Sequence, residues 1–299
     1  VLVNEGELLE KFGIQLSPIP LGELTSYMYE LIDKKDSRIE ETKETYRNWA
    51  DIKIKDEDFT KVAALKLAMQ DKMKEYGCNA GTIQCWTELQ REIGILPYAS
   101  EALLQTEGMP VTCETDINGA ISELLAESAT LGDERAIFAD VNCRHPENEN
   151  GELLQHLGTF AFQTAKNRPI LPPSHFVFDY PGSAAFEAKD GTYTLVRFDG
   201  DHGKYSMLIG NAKTCDGPYE QGTYAWFQFK DLNRFEAKYV YGPYIHHMAG
   251  VRADVVPILA EACKYINVSP DYYDPIKDKV AAYWYGDLDS ILDDEQKHK

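Results

Sequence analysis

No apolar run in this sequence of 299 residues reaches the length of a membrane-spanning helix, and no leader of the secretory kind opens it. Membrane and secreted readings therefore have nothing to rest on, and a cytoplasmic protein is the expectation. Cysteine is sparse: Cys78, Cys85, Cys113, Cys143, Cys215 and Cys263 are scattered without C-x-x-C spacing. Most lie in apolar segments such as Ile83-Gln84-Cys85-Trp86 and Val111-Thr112-Cys113, where Cys serves as a small core residue. Reduced thiols are the expected state. Positive charge is also short, with 30 Lys and Arg against 49 Asp and Glu and a formal charge of -19. No basic patch offsets it, so nucleic acid and anionic membranes are repelled. Internal repeats and low-complexity segments are lacking as well, which excludes solenoids and disordered arrays.

What is present is an ordinary folded composition, 43% hydrophobic and 26% charged, in a chain long enough for two cores. The acidic runs Glu40, Glu41, Glu44 and Asp287, Asp289, Asp293, Asp294, Glu295 read as solvated faces, with metal attraction by the tail as the alternative. The chain opens on Val1 rather than Met and runs at once into a helix-like Glu5 to Phe12, as if entered midway. Up to about residue 133, helical and strand-like segments alternate, the mark of a parallel sheet covered by helices. Asp56 to Tyr76 carries Phe59, Val62, Leu65, Met69 and Met73 at steps of three and four, with Gly77 as a C-terminal cap. Ala80 to Trp86 and Met109 to Glu114 read as strands, and Glu88 to Ile93 and Ser100 to Glu107 as helices. Ile117 to Ser128 reads as a helix with Ile121, Leu124 and Leu125 on one face, and Arg135 to Val141 as the next buried strand, reached by a right-handed crossover. After Asn142 the texture turns to short aromatic and β-branched runs between Gly, Asp and Asn turns: Phe176 to Asp179, Tyr193 to Phe198, Tyr205 to Gly210 and Tyr224 to Phe229. A closing helix is expected over Val255 to Tyr265. The predicted architecture is α/β over residues 1–133, then a mainly antiparallel, barrel-like β domain over 134–299.

The segment richest in chemistry is Met109-Pro110-Val111-Thr112-Cys113-Glu114-Thr115-Asp116, an apolar strand ending in carboxylates. Ligand sites of α/β sheets lie at such edges. A second apolar strand, Ala136-Ile137-Phe138-Ala139, ends in Asp140, so one βαβ unit is expected to set Glu114 and Asp140 side by side. Converging carboxylates repel unless a cation or a shared proton holds them. Two readings stand: a divalent metal site, or acids that cap the following helix, a role that suits Asp116 ahead of Ile117. His156 follows shortly, and the doublet His246-His247 comes after Tyr241-Gly242-Pro243-Tyr244-Ile245. Mixed Glu, Asp and His ligation suits Mn²⁺ or another oxygen-preferring first-row metal better than a structural zinc. Gln84 and Trp86, together with Trp226 and Tyr244, are candidates for a sugar pocket, core packing being the alternative for each aromatic. His145, His175, His202 and His298 read as surface residues.

The ordered set Gln84-Cys85-Trp86, Gly108-Met109-Pro110, Cys113-Glu114-Thr115-Asp116, Phe138-Ala139-Asp140 and His156-x-Gly158 resembles the second half of the L-fucose isomerase and L-arabinose isomerase family. The opening Leu8-Leu9-Glu10-Lys11-Phe12-Gly13-Ile14 resembles the start of that family's central domain. The likeness runs to about residue 255. It implies Mn²⁺ held by Glu114, Asp140 and His247, with His156 left open between metal and sugar and His246 beside the substrate. It also implies a homo-oligomer and an N-terminal α/β domain that closes a neighbour's pocket. That domain is not in this sequence, so it was removed, is supplied as a separate chain, or has been lost with a change of function.

The implied reaction is aldose–ketose isomerisation of a pentose or 6-deoxyhexose, an intramolecular oxidoreduction through a cis-enediol, with Glu114 and Asp140 sharing the base and acid roles. Two other classes compete: a metal- and sugar-binding subunit without turnover, and an epimerase or aldolase reaction on the same scaffold.

Overall fold

The computed structural model describes residues 3–175 and 179–274. The expected strand at Phe176 to Asp179 lies largely outside them, and the acidic tail and His298 lie wholly outside. The helical part opens with α1 (Glu5–Phe12), α2 (Leu21–Asp33) and α3 (Arg38–Trp49), then β1 (Asp51–Ile52) and α4 (Asp56–Glu75). It continues through β2 (Gly81–Thr82), α5 (Glu88–Ile93), α6 (Tyr98–Thr106), β3 (Val111–Thr112) and α7 (Ile117–Ala129). Helix α4 forms where its spacing predicts. Phe59, Val62, Leu65, Met69 and Met73 are buried, and Asp56, Glu57 and Asp58 in its first turn with Lys72 and Lys74 in its last complement the helix dipole.

The remainder is mostly β: β4 (Ile137–Arg144), β5 (Gly151–His156), β6 (Ile170–Leu171), β7 (Phe186–Glu187), β8 (Thr192–Asp201), β9 (Lys204–Thr214) and β10 (Thr223–Gln228). Helix α8 (Leu232–Tyr241), β11 (His247–Val251), α9 (Val256–Ile266) and β12 (Ser269–Tyr272) follow. Eight strands form one mostly antiparallel sheet in the order β12-β9-β8-β11-β4-β5-β10-β7, and β9 also pairs with β10. That second pairing, Phe227 with Thr214 and Gln228 with Lys213, joins the ends of the run from β9 to β10. The sheet thereby closes on itself as a barrel and removes edges that would otherwise be open. Parallel pairing is confined mainly to short pairs such as β2 with β3 and β1 with β6. The fold class is thus α/β joined to a large, mainly antiparallel sheet. The main apolar core runs from α2 and α4 through β3 and β4 to β10 and α8.

Two expectations are corrected. Strand β4 does not continue the β2–β3 sheet as the second arm of a crossover; it lies between β11 and β5 in the large sheet. Two-residue strands offer too little ladder to recruit an eight-residue one, whereas β11 and β5 offer longer antiparallel partners. On α7, which forms as expected, Ile121, Leu124 and Leu125 are half-buried, and the deepest positions are Asn118, Gly119, Ala120, Ser122, Glu123, Ala126 and Glu127. The polar members are buried because they complete neighbouring backbone: Ser122 Oγ accepts from Phe198 N at 2.9 Å, and Glu127 Oε1 from Ala136 N at 2.9 Å. Finally, Cys85 and Cys113 are joined in a disulfide, and the free cysteines are Cys78, Cys143, Cys215 and Cys263. Parallel pairing of Gly81 with Val111 and Thr82 with Thr112 holds the two segments together, and just beyond it the Cα atoms of Cys85 and Cys113 lie 5.9 Å apart. The general expectation of reduced thiols does not hold for this pair. Among the described residues, no helix is long and apolar enough to cross a membrane.

Candidate active site

The site grows from cross-strand register. In the antiparallel ladders His247 of β11 sits opposite Asp140 of β4, and Asp140 sits opposite Gln155 of β5. Residues directly opposite project to the same side of a sheet, so imidazole, carboxylate and amide form one row. Asn142, two positions along β4, joins that side, and its Nδ2 donates to Gln155 Oε1 at 3.1 Å. Glu114 enters from the turn after β3. Glu114 and Thr115 both adopt positive φ, 59° and 52°, and Thr115 N donates to Ile83 O at 3.1 Å. Two successive non-glycine residues in the left-handed region are a local strain, held here to turn the chain between β3 and α7. The Cys85–Cys113 bond couples this turn to the segment bearing Trp86.

Trp86, Glu114, Asp140, Asn142, Gln155, His156 and Leu157 line a cavity of about 190 Å³. At its floor His247 Nε2 stands 3.2 Å from Asp140 Oδ1 and 3.8 Å from Glu114 Oε2, while the exposed neighbour His246 places Nε2 3.7 and 3.8 Å from the same two carboxylates. His156 is buried; its Nδ1 accepts from Leu157 N at 2.9 Å, which leaves Nε2 to face the cluster. Donor atoms of Asp140, His156 and His247 lie within 4.8 Å of one another, as do those of Glu114, His246 and His247. Phe138 packs against both inner imidazoles, with ring centres 4.8 Å from His247 and 5.9 Å from His156.

Three buried atoms at this point, Asp140 Oδ1, His156 Nε2 and His247 Nε2, make no hydrogen bond. Buried polar atoms are rarely left so, and several converging on one space make a donor set suited to a cation. Ligands held at about 2.0–2.2 Å from a common ion stand roughly 3–4.5 Å apart, the spacing of this set. Burial works to raise the Asp140 carboxyl, but the His156, His247 and His246 rings hold it below its ordinary value. Burial pushes His156 down to about 4 against the pull of Asp140, keeping it a neutral imidazole. Burial also works to lower His247, but Asp116 and Asp140 push it up to about 9.

Of the residues singled out from sequence, Glu114, Asp140, His156, His246, His247 and Trp86 come together here. Gln84 is exposed, and its Nε2 lies 3.4 Å from Trp86 O. Trp226 is a correction: it is buried in a satellite cluster with Leu153 and Tyr224, and its Nε1 donates to Pro218 O at 2.8 Å. Tyr244 likewise turns elsewhere, its hydroxyl 2.9 Å from Ser206 Oγ and 3.1 Å from Asp271 Oδ2. His145 accepts from two backbone amides at its own turn and packs on Trp226, and His175, read as a surface residue, is buried. Asn142 and Gln155 escaped sequence reasoning because neither amide carries a motif; only strand register brings them to the row. Asp116 does cap α7, its Oδ1 accepting from Gly119 N at 3.0 Å, but its Oδ2 also lies 2.8 Å from His247 Nδ1.

A mixed α/β scaffold with carboxylates and imidazoles gathered at the floor of an open cavity defines a candidate metal-assisted proton-transfer site. No family model matches the chain. It is 23% identical over 279 residues to the sulfoquinovose isomerases of Priestia megaterium (strain ATCC 12872 / QMB1551) and Priestia aryabhattai, covering 90% of this chain and 60% of each relative. The sulfoquinovose isomerase of Alkalicoccus urumqiensis is 23% identical over 268 residues, 89% of this chain and 60% of the relative. The chain thus spans about 60% of the length of these curated relatives and is similar, at low identity, to sugar isomerases.

Proposed function

We propose that this chain carries the proton-transfer centre of a metal-dependent aldose–ketose isomerase, acting on a pentose or 6-deoxyhexose of the L-fucose, D-arabinose or L-arabinose type and working as a homo-oligomer. The observation that supports it best is the convergence of Asp140 Oδ1, His156 Nε2 and His247 Nε2 beside Glu114 under a cavity lined with amides. Glu114, Asp140 and His247 are the holding set, with His156 at its margin. Two carboxylates, an imidazole nitrogen and no thiolate suit Mn²⁺ or a similar oxygen-preferring ion, whose two positive charges balance the two carboxylates. Once bound, such an ion supplies Lewis-acid polarisation of the sugar's carbonyl and adjacent hydroxyl oxygens.

The chain's own residues do the rest. Glu114 and Asp140, each partly open to the cavity, share the acid and base roles: a carboxylate removes the proton from C2 of the aldose, and the cis-enediol is protonated at C1. The hydroxyl proton moves from O2 to O1, so no atom enters or leaves. Asn142 and Gln155 offer amide donors and acceptors to sugar hydroxyls, and the exposed indole of Trp86 offers a flat apolar face to C–H groups. Sulfoquinovose, the sugar named for the relatives, belongs in the same test.

The experiment is incubation with Mn²⁺ in D₂O and L-fucose, D-arabinose, L-arabinose or sulfoquinovose, following ketose formation and deuterium entry. Glu114→Gln is expected to lower turnover by about 10²–10⁴-fold, the usual worth of a general acid–base group. Full activity in that variant, or no conversion of any of the four sugars by the wild type, would sink the reading.

A further inference from the structure

We propose that Asp116 and Arg197, neither of which lines the cavity, are positioning residues that fix which ring nitrogen His247 presents to the cation; this rests on the metal-site reading above. Asp116 is fully buried, and its two oxygens receive four donors. Oδ1 accepts from Gly119 N and Arg197 Nη2, both at 3.0 Å, and Oδ2 accepts from Arg197 Nη1 and lies 2.8 Å from His247 Nδ1. A carboxylate has about four lone-pair sites, so all are used and none is left for a proton. Gripped by both terminal nitrogens of the buried Arg197 guanidinium, Asp116 is an ionised carboxylate and an acceptor only. His247 Nδ1 must then be the donor. The nitrogen that can lose its proton to a cation is Nε2, the one beside Asp140 and Glu114.

Arg197 is the second half of the device. It is fully buried, and its Nε and Nη2 donate to Asp199 Oδ2 at 3.1 and 2.9 Å. Asp199 Oδ1 in turn accepts from Asn118 Nδ2 and Gly200 N, both at 2.9 Å. This chain of bonds crosses from α7 to β8 and ends on β11, tying the ring's orientation to three elements rather than to one rotamer. Partners of this kind behind a ligating histidine set its tautomer and its basicity.

Asp116→Asn separates the device from the helix cap, because Asn caps helices about as well as Asp. An amide nitrogen at the Oδ1 position would meet two donors, Gly119 N and Arg197 Nη2. At the Oδ2 position it meets one, Arg197 Nη1, and can donate to His247 Nδ1 if the ring moves its proton to Nε2. The variant is therefore expected to present a protonated nitrogen to the cavity.

The test is Mn²⁺ binding to the purified chain, read from the resonance of free Mn²⁺, for wild type, Asp116→Asn and Arg197→Lys. Asp116→Asn is expected to lose about 10–100-fold in affinity, and Arg197→Lys, which keeps the charge but not the fork, to lose less. Imidazole ¹⁵N signals of the metal-free proteins, followed upward in pH until they stop shifting, are expected to show Nδ1–H in the wild type and Nε2–H in Asp116→Asn. The same tautomer in both proteins would overturn the proposal, as would unchanged Mn²⁺ affinity in Asp116→Asn. A wild type that binds no Mn²⁺ would defeat the metal-site reading, and the ring signals would still decide the positioning role.

Discussion

Replacing Glu152 by Gln should make the protein less sensitive to alkali, by an amount the structure lets one work out. Glu152 lies on β5, opposite Arg144 of β4 and Phe227 of β10, and is only 4% exposed. Its Oε2 has no hydrogen-bond partner, because Arg144 commits its guanidinium to Glu236 and Asn233. Burial, then the charge of Glu236, raise the Glu152 carboxyl from 4.5 to about 7, with Arg144 offsetting part of the rise. A carboxyl whose pKa is higher folded than unfolded binds more protons in the native state between those two values. Its contribution to stability is therefore fully present below the unfolded value and is lost as pH climbs to the folded one. About two and a half pH units at about 1.4 kcal/mol each give close to 3 kcal/mol, an upper figure since local relaxation admits water. Gln keeps the shape and cannot ionise. Any offset from its amide is equal at every pH, so the informative quantity is the slope, from urea unfolding of both proteins between pH 4.5 and 8. The stability of Glu152→Gln relative to wild type should rise by about 2–3 kcal/mol across that window and level off above pH 7. A difference independent of pH would refute the argument that burial and Glu236 control this carboxyl.

Two further outcomes test the placement of the site. Trp86→Ala should raise KM for the converted sugar several-fold with stability changed by less than about 0.5 kcal/mol, whereas Trp226→Phe should leave KM alone and cost about 1 kcal/mol by losing the bond to Pro218; the reverse pattern would put the sugar elsewhere. Chelation should lower Tm by about 5 °C relative to protein at a hundredfold excess of Mn²⁺ over its Kd, which corresponds to about 2.7 kcal/mol of linked stability; an unchanged Tm would argue against an ion bound to the folded state.

Local chemistry made part of this protein readable in advance. The step-three-and-four apolar pattern of Asp56 to Tyr76 and the alternating aromatic strands depend on neighbours within a few residues, and those elements stand where the spacing puts them. Glu114, Asp140 and the His246-His247 doublet were visible as candidates because acids beside apolar strand segments and paired imidazoles are scarce and costly unless something holds them, although β4 does not end at Asp140 as expected but runs on to Arg144. The division at residue 133 was a reading of texture, and the main core draws side chains from both sides of it.

Pairing across long stretches of chain decided the rest. Asp116 read as a helix cap because its cap partner is three residues away, while the imidazole it also binds is 131 residues away. Trp226 and Trp86 look equally suited to a sugar, and only strand register sends one into a satellite core and leaves the other at the cavity mouth. The bond between Cys85 and Cys113 follows from the pairing of β2 with β3, which no spacing of cysteines announces. Composition and periodicity determined what kinds of element and what kinds of ligand this chain contains. Which of those ligands face one another was settled by register, since moving a strand by one residue turns its side chains to the opposite side of the sheet.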